Sequence, residues 1–288
     1  MVITAFLSHL NKFRPMHWMF FFIAVNVMLM LIGAFPLTIA ASFAHYYIAG
    51  QTGCQCDAFL GFFAGLSTMF TLAATGVIQA IQVYSNAVNA SPVRLSTVVI
   101  TVAACYLYAL AWSLCPFFGY GEYGFELHMT NCTVNWKSLR HASRKYIIAM
   151  YVGCVALPVV VMGTSLALIV AKVNRQVMPI GQTSMTSQTI KMTALLFFGF
   201  LLAWMPYAII GLIAAFTDFS LSPESTWLSS LLAKSSCFYT PIIYFFMNDR
   251  FKRICIDTLP RRLAGALSKF TTNTSPMSAV DLSDITQN

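Results

Sequence analysis

Lys234 is the residue most out of place in this chain. It lies about seven residues into the last apolar run, Trp227–Met247, with Leu231, Leu232 and Ala233 between it and the polar loop before it. At 1.5 Å per residue that is roughly 10 Å of depth. An ionised lysine at mid-membrane costs at least ~2.5–3.5 kcal/mol. A snorkelling side chain or a packing accident is the plainer account, and the depth speaks against it. In an apolar pocket, desolvation favours the neutral amine. Its free lone pair is then a nucleophile that condenses with an aldehyde to a Schiff base. A protonated Schiff base buried there needs a carboxylate partner.

Candidates for that partner are few, because the chain has only nine acids. Asp57 opens the second apolar run, where an acid is costly to keep. Glu122 and Glu126 lie in the loop between Phe118 and Lys145, and a loop acid is ordinarily just solvated. Asp218 and Glu224 flank the last outer loop and read as solvated. Of eight cysteines, Cys54, Cys56, Cys115 and Cys132 fall on the outer, oxidising side, where a disulfide is permitted and three full pairings are open. Cys105, Cys154 and Cys237 read as apolar packing, and Cys255 beside the inner leaflet as a palmitoylation candidate. Asn131-Cys132-Thr133 is formally a glycosylation sequon, though a disulfide at its centre would argue against use. There is no Gly-rich phosphate loop, no zinc-spaced His pair and no Ser-His-Asp set, so nothing points to a soluble enzyme.

The elements that must position these groups follow from composition. The 288 residues are 58% hydrophobic and 9% charged, and the mean hydropathy is +0.71. Soluble domains carry about 25% charge, so the solvent for most of this chain is lipid. A helix needs roughly 20 apolar residues to cross the hydrocarbon core. Six stretches qualify: Trp18–Ala44, Ala58–Tyr84, Leu95–Phe117, Tyr146–Ala171, Met192–Phe216 and Trp227–Met247. None alternates as a barrel strand would, and their ends are rich in Tyr, Trp and Phe. Prolines 36, 158, 206 and 241 interrupt spans in a way neighbouring helices tolerate. The expected fold is all-α, a polytopic membrane helical bundle over residues 1–259 with a flexible tail over 260–288. A short amphipathic helix is expected between Asn248 and Leu259. Val2–Leu10 is apolar but too short to span.

Positive charge belongs on the inner side. With both termini cytoplasmic, twelve of the 17 Lys and Arg residues fall inside, four fall outside and Lys234 lies within a span. The net charge of +8 is thus a topology signal suited to anionic inner-leaflet lipid, and it gives no support for nucleic-acid binding.

Several ordered motifs resemble animal opsins, the retinal-binding branch of the rhodopsin-like G-protein-coupled receptors. Leu232-Ala233-Lys234-Ser235-Ser236 resembles the retinal-attachment segment. Tyr239-Thr240-Pro241-Ile242-Ile243-Tyr244 follows it, then Phe245-Phe246-Met247-Asn248 leads into Phe251-Lys252-Arg253. Ala203-Trp204-Met205-Pro206-Tyr207 resembles the family's sixth-helix hinge. Gly119 through Glu126 resembles the opsin plug loop, with Cys132 downstream, and Gln51-Thr52-Gly53-Cys54 resembles the start of the third helix. The likeness runs from about Lys12 to Leu259.

The resemblance implies that Lys234 binds an 11-cis-type retinal covalently as a Schiff base. It implies that Glu126 or Asp57 serves as counterion, that Cys54 pairs with Cys132, and that Trp204, Tyr207, Phe200, Met150 and Gly65 line the pocket. It implies a light sensor in which photoisomerisation pushes against Trp204 and the helix hinged at Pro206 swings to open the cytoplasmic face. A heterotrimeric G protein would be the partner there, with arrestin or a kinase at the Ser/Thr-rich tail, in the plasma membrane.

Departures from the family stand beside the likeness. Its first helix is absent, with Val2–Leu10 like the last turns of one. The acid-Arg-aromatic triplet ending the third helix is Ile78-Gln79-Ala80, the usual Asn of the seventh-helix motif is Thr240, and the second-helix acid is replaced around Asn26-Val27. Two other readings follow: a retinal photoisomerase or non-signalling retinal-binding opsin, and a receptor in which Lys234 pairs an anionic group of a diffusible ligand. A pump or transporter fits worst, since no acid lies deep in the inner half of a span.

Overall fold

The computed structural model describes residues 15–85, 93–126, 129–136, 141–175, 180–217, 221–247 and 251–252, with backbone alone at 141–142 and 180–189. Val2–Leu10, Cys255, Asp218, the 260–288 tail and most of the expected amphipathic helix lie outside the described residues. Of that helix only Phe251 and Lys252 are described. Both are helical and buried, and the Phe251 ring sits 4.7 Å from that of Tyr244.

Helices α1 (Pro15–Gly33) and α2 (Phe35–Ala44) divide the first expected span. The break falls at Ala34, just before Pro36, which has no N–H to continue the ladder. Helix α3 runs from Gly50 to Tyr84, eight residues longer at its outer end than its apolar run, because Gln51, Thr52 and Gln55 lower the hydropathy of turns that are helical all the same. Helix α4 (Leu95–Leu114) ends in a 3-10 turn, Cys115–Phe118. Helix α5 (His141–Met150) passes through a π-helical turn, Tyr151–Ala156, into α6 (Leu157–Arg175). Such turns recur at functional sites, and this one lies just before Pro158. Helix α7 covers Ile180–Phe216 and α8 covers Pro223–Met247.

Among the described residues, five helical stretches are long and apolar enough to cross a membrane: Pro15–Ala44, Gly50–Tyr84, Leu95–Phe118, Ser143–Arg175 and Ile190–Phe216. The sixth expected span, α8, forms with ample length, about 37 Å at 1.5 Å per residue. It falls short on apolar content, and the cause is specific. Thr226, Ser229, Ser230 and Ser236 are polar and face inward, where all four are buried.

Helix α3 is the axis of the bundle, packing on α1, α4, α6, α7 and the outer hairpin. Of its most apolar stretch 67% is buried, against 22–33% in the other four. Its buried hydroxyls are satisfied within the helix: Ser67, Thr68, Thr71 and Thr75 each donate to the carbonyl four residues back, at 2.6–2.8 Å. Outward-facing residues are apolar as lipid requires, Phe43 and Leu202 exposing 84% and 80% of their surface.

The segment expected as a plug loop is a small antiparallel hairpin. Strand β1 (Tyr123–Phe125) pairs with β2 (Cys132–Val134), with Phe125 opposite Cys132. A disulfide joins Cys54 at the top of α3 to Cys132, tying the hairpin over the outer end of the bundle. Cys56 and Cys115, the other outer cysteines, are free. Gly121 turns the chain into β1 at φ +94°. A Cβ there would meet the Tyr146 ring at 2.8 Å, so glycine is required twice over.

Candidate functional site

Four helices and the hairpin above them converge on one region. Helix α8 offers Ser230 and Lys234, one turn apart; α2 offers Thr38, and α3 offers Asp57, Gly61 and Gly65. Helix α7 offers Phe200, Trp204 and Tyr207, which at spacings of four and three share one face. The hairpin supplies Glu126, Asn131 and Thr133.

Lys234 and Asp57 both line a hollow with Gly61, Phe62, Trp204 and Tyr207. A second hollow is walled by Gly65, Met150, Phe200 and other apolar groups, again with Phe62, Trp204 and Tyr207. The three shared residues make the two hollows neighbours. Together they offer one polar end bearing an amine and a long apolar remainder.

The amine is held by neutral groups. Lys234 Nζ donates to Asn131 Oδ1 at 2.5 Å and to Thr38 Oγ1 at 3.1 Å, and Thr38 donates on to Asn131 Oδ1 at 3.2 Å. The acids acting on it through space are Asp57 and Glu126. Asp57 is 3% exposed, and its Oδ2 has no hydrogen-bond partner among the described residues. Glu126 stands behind Tyr207, whose hydroxyl donates to Oε1 at 3.2 Å and also meets Thr133 Oγ1. Burial pushes the Glu126 carboxyl above its ordinary range; Asn131, the Lys234 charge and Tyr207 pull the other way, and Asp57 adds to the rise.

Trp204 is fixed on three sides. Its indole stacks on Phe200 at 5.4 Å and its Nε1 donates to Ser236 Oγ at 3.2 Å. A Cβ at Gly65 would stand 2.8 Å from the ring, so only glycine leaves the indole its place.

The amine, both acids and the five pocket positions expected from the sequence thus gather in one region. Glu122 does not join them; its carboxylate faces the side-chain amide of Asn135. Asn131, Thr38 and Ser230 were not anticipated as site residues. Asn131 entered the sequence reading only as a sequon, and at 5% exposure with its side chain inside the bundle it is no glycosylation site. At the inner end, Gln79 Nε2 donates to Thr193 Oγ1 at 2.6 Å, a buried neutral bond between α3 and α7.

Helices wrapped on a central long helix, an outer hairpin tied to it by a disulfide, and a buried amine define a receptor-type membrane bundle. The family model "7 transmembrane receptor (rhodopsin family)" matches residues 1–244. The chain belongs to that family and is an integral membrane protein. Its curated relatives include Opsin-3 of Mus musculus, 27% identical over 86% of this chain and 64% of that protein. Opsin-5 of Mus musculus is 30% identical over 84% of this chain and 67% of that protein. A rhodopsin of Mizuhopecten yessoensis described as G0-coupled is 27% identical over 90% and 67%. The chain therefore spans about two thirds of the length of these relatives. Squid rhodopsin superposes with a TM-score of 0.83 at 21% identity, covering 96% of this chain and 86% of that one, a likeness of fold.

Proposed function

We propose that this chain is a light-sensing opsin that carries an 11-cis-type retinal covalently on Lys234. One observation carries the reading: a lysine amine and a buried carboxylate, one of whose oxygens has no hydrogen-bond partner among the described residues, face the same hollow, and that hollow adjoins an apolar one. An aldehyde on a long apolar body fits both ends. When bound, retinal supplies the aldehyde that condenses with the amine, with loss of water, and the double bond that light isomerises.

The chain's own residues do the rest. Lys234 supplies the nucleophile, and Thr38 and Asn131 fix where it points. Asp57 and Glu126 supply negative charge for a cation at Nζ. Phe200, Trp204 and Met150 exclude water from the apolar end. Trp204 is two residues before Pro206, where α7 lacks one backbone hydrogen bond, so a change of shape in the hollow meets the helix at its weak point. That is the form of a two-state switch biased by ligand shape. A cytoplasmic C-terminus rests on the inner bias of basic residues, and a plasma-membrane location with a G protein, arrestin or kinase at the inner face rests on the family.

A second reading, a retinal-binding opsin or photoisomerase that activates no G protein, is favoured by Gln79. Where the family carries an arginine, this chain has a neutral amide already bonded to Thr193. Nucleotide exchange on G proteins under illumination separates the two.

The test of the shared claim is the dark-minus-light spectrum of the chain expressed with 11-cis-retinal. A visible band that changes on illumination is expected; a protein that stays colourless at acidic and neutral pH overturns the proposal.

The two acids should separate in the same assay. Asp57→Asn is expected to move the band into the ultraviolet at neutral pH, because Asp57 shares the hollow with the amine. Glu126→Gln should shift it less, since Glu126 stands behind Tyr207 and burial favours its neutral form. A larger effect from Glu126→Gln would reverse that ranking. A raised carboxyl holds its proton more tightly in the folded chain, so its contribution to stability falls as pH rises from the ordinary value of 4.5. Glu126→Gln should flatten that part of the melting-temperature profile.

A further inference from the structure

We infer that Asn131 is a positioning residue for the Lys234 amine, holding it on a neutral amide oxygen between Asp57 and Glu126 instead of against either carboxylate. The amide has no freedom to do otherwise. Its Oδ1 accepts from Lys234 and Thr38, and its Nδ2 donates to Ser230 Oγ at 3.0 Å, which sets which end faces the amine. Its backbone carbonyl accepts from Glu126 N–H at 2.9 Å, and the next residue, Cys132, is bound to α3 through the disulfide. Asn131 is itself 5% exposed.

The chemical consequence lies in what a carboxylate would do in its place. A carboxylate adds the attraction of opposite charges to the hydrogen bond and so stabilises the ammonium form, which a neutral amide oxygen does not do. An amine so held keeps its proton and its lone pair is unavailable. A neutral oxygen orients the nitrogen without silencing it, while Asp57 and Glu126 remain close enough to balance a cation once one forms. The inference rests on the reading of Lys234 as the attachment point for an aldehyde, and it specifies how that amine stays reactive inside an acidic site.

The amine can be examined without retinal. In the full chain, formaldehyde condenses at Nζ with loss of water, cyanoborohydride delivers hydride to the resulting imine carbon, and the methylated Lys234 peptide is counted by mass spectrometry. Exposed Lys191 serves as the internal reference. Asn131→Asp, which is isosteric, should slow methylation of Lys234 at neutral pH by about tenfold, the scale of replacing a neutral hydrogen bond by a charge-assisted one. Asn131→Ala should also slow it, because the amine is released onto Asp57. Adding Asp57→Asn to Asn131→Ala should restore the original rate, a rescue that a merely structural defect would not show. Unchanged rates in Asn131→Asp, or a double variant as slow as Asn131→Ala, overturn the inference. If Asn131→Ala misfolds, the isosteric variant decides. A retinal band in the parent chain with unmoved methylation rates would sink this inference alone; a colourless parent with the expected rates would sink only the retinal reading.

Discussion

Lys234→Ala is expected to abolish the visible band after reconstitution, with nothing left above the free-retinal background. The effect is all-or-none because Lys234 is, among the described residues, the one lysine lining either hollow. The other described lysines, Lys145, Lys172, Lys191 and Lys252, line neither. Alanine also leaves buried Asp57 without the cation that acts on it, and an uncompensated buried charge costs roughly 3–5 kcal/mol. A colourless Lys234→Ala protein is therefore open to the objection that it failed to fold. Lys234→Arg answers it. The guanidinium keeps the positive charge beside Asp57 and Glu126 but does not deprotonate and cannot condense. It should be folded and colourless, and a coloured Lys234→Arg protein would place the attachment elsewhere.

The second large effect is expected from the disulfide. Cys54 and Cys132 are 78 residues apart, so their link closes a long loop of the unfolded chain. On the chain-entropy account that is worth roughly 4.5 kcal/mol. Cys54→Ser and Cys132→Ser should each lose about that much, as a fall in thermal midpoint or in recoverable folded protein. The double variant should lose no more than either single one, since both remove the same bond. The loss is also local. β2 carries Asn131 and Thr133 at its edge and within it, so releasing Cys132 frees the groups that hold the amine and meet Tyr207. Additive losses in the double variant would show that each cysteine acts through its own packing instead.

The parts of the fold that could be read from the sequence depend on one property each. The six spans announce themselves through length and apolar content alone, and lipid makes both obligatory. The outer third of α3 did not, because Gln51, Thr52 and Gln55 look like loop. They are helical because the disulfide and hairpin cap that end of the bundle. The break at Ala34 and the π-helical turn before Pro158 depend on how prolines settle against neighbours, which a linear pattern shows only as Pro36 and Pro158. The site divides in the same way. Lys234 and Asp57 could be found because charge in a span is expensive, and the pocket aromatics only by their register with Lys234 in a resembling family. Asn131 carries no such signal. It meets the amine across 103 residues of chain, and nothing but the folded hairpin brings it there. Gln79 was noticed as a missing arginine, yet its bond to Thr193, 114 residues away, had no trace in the sequence.

Covalent attachment at Lys234 is the claim on which the account turns, and it is tested by reducing the dark, retinal-loaded protein with borohydride and mapping the product by peptide mass spectrometry. The account predicts one retinyl group, on the peptide containing Lys234. A retinyl group on another lysine, or none on a protein that has demonstrably taken up retinal, would contradict it.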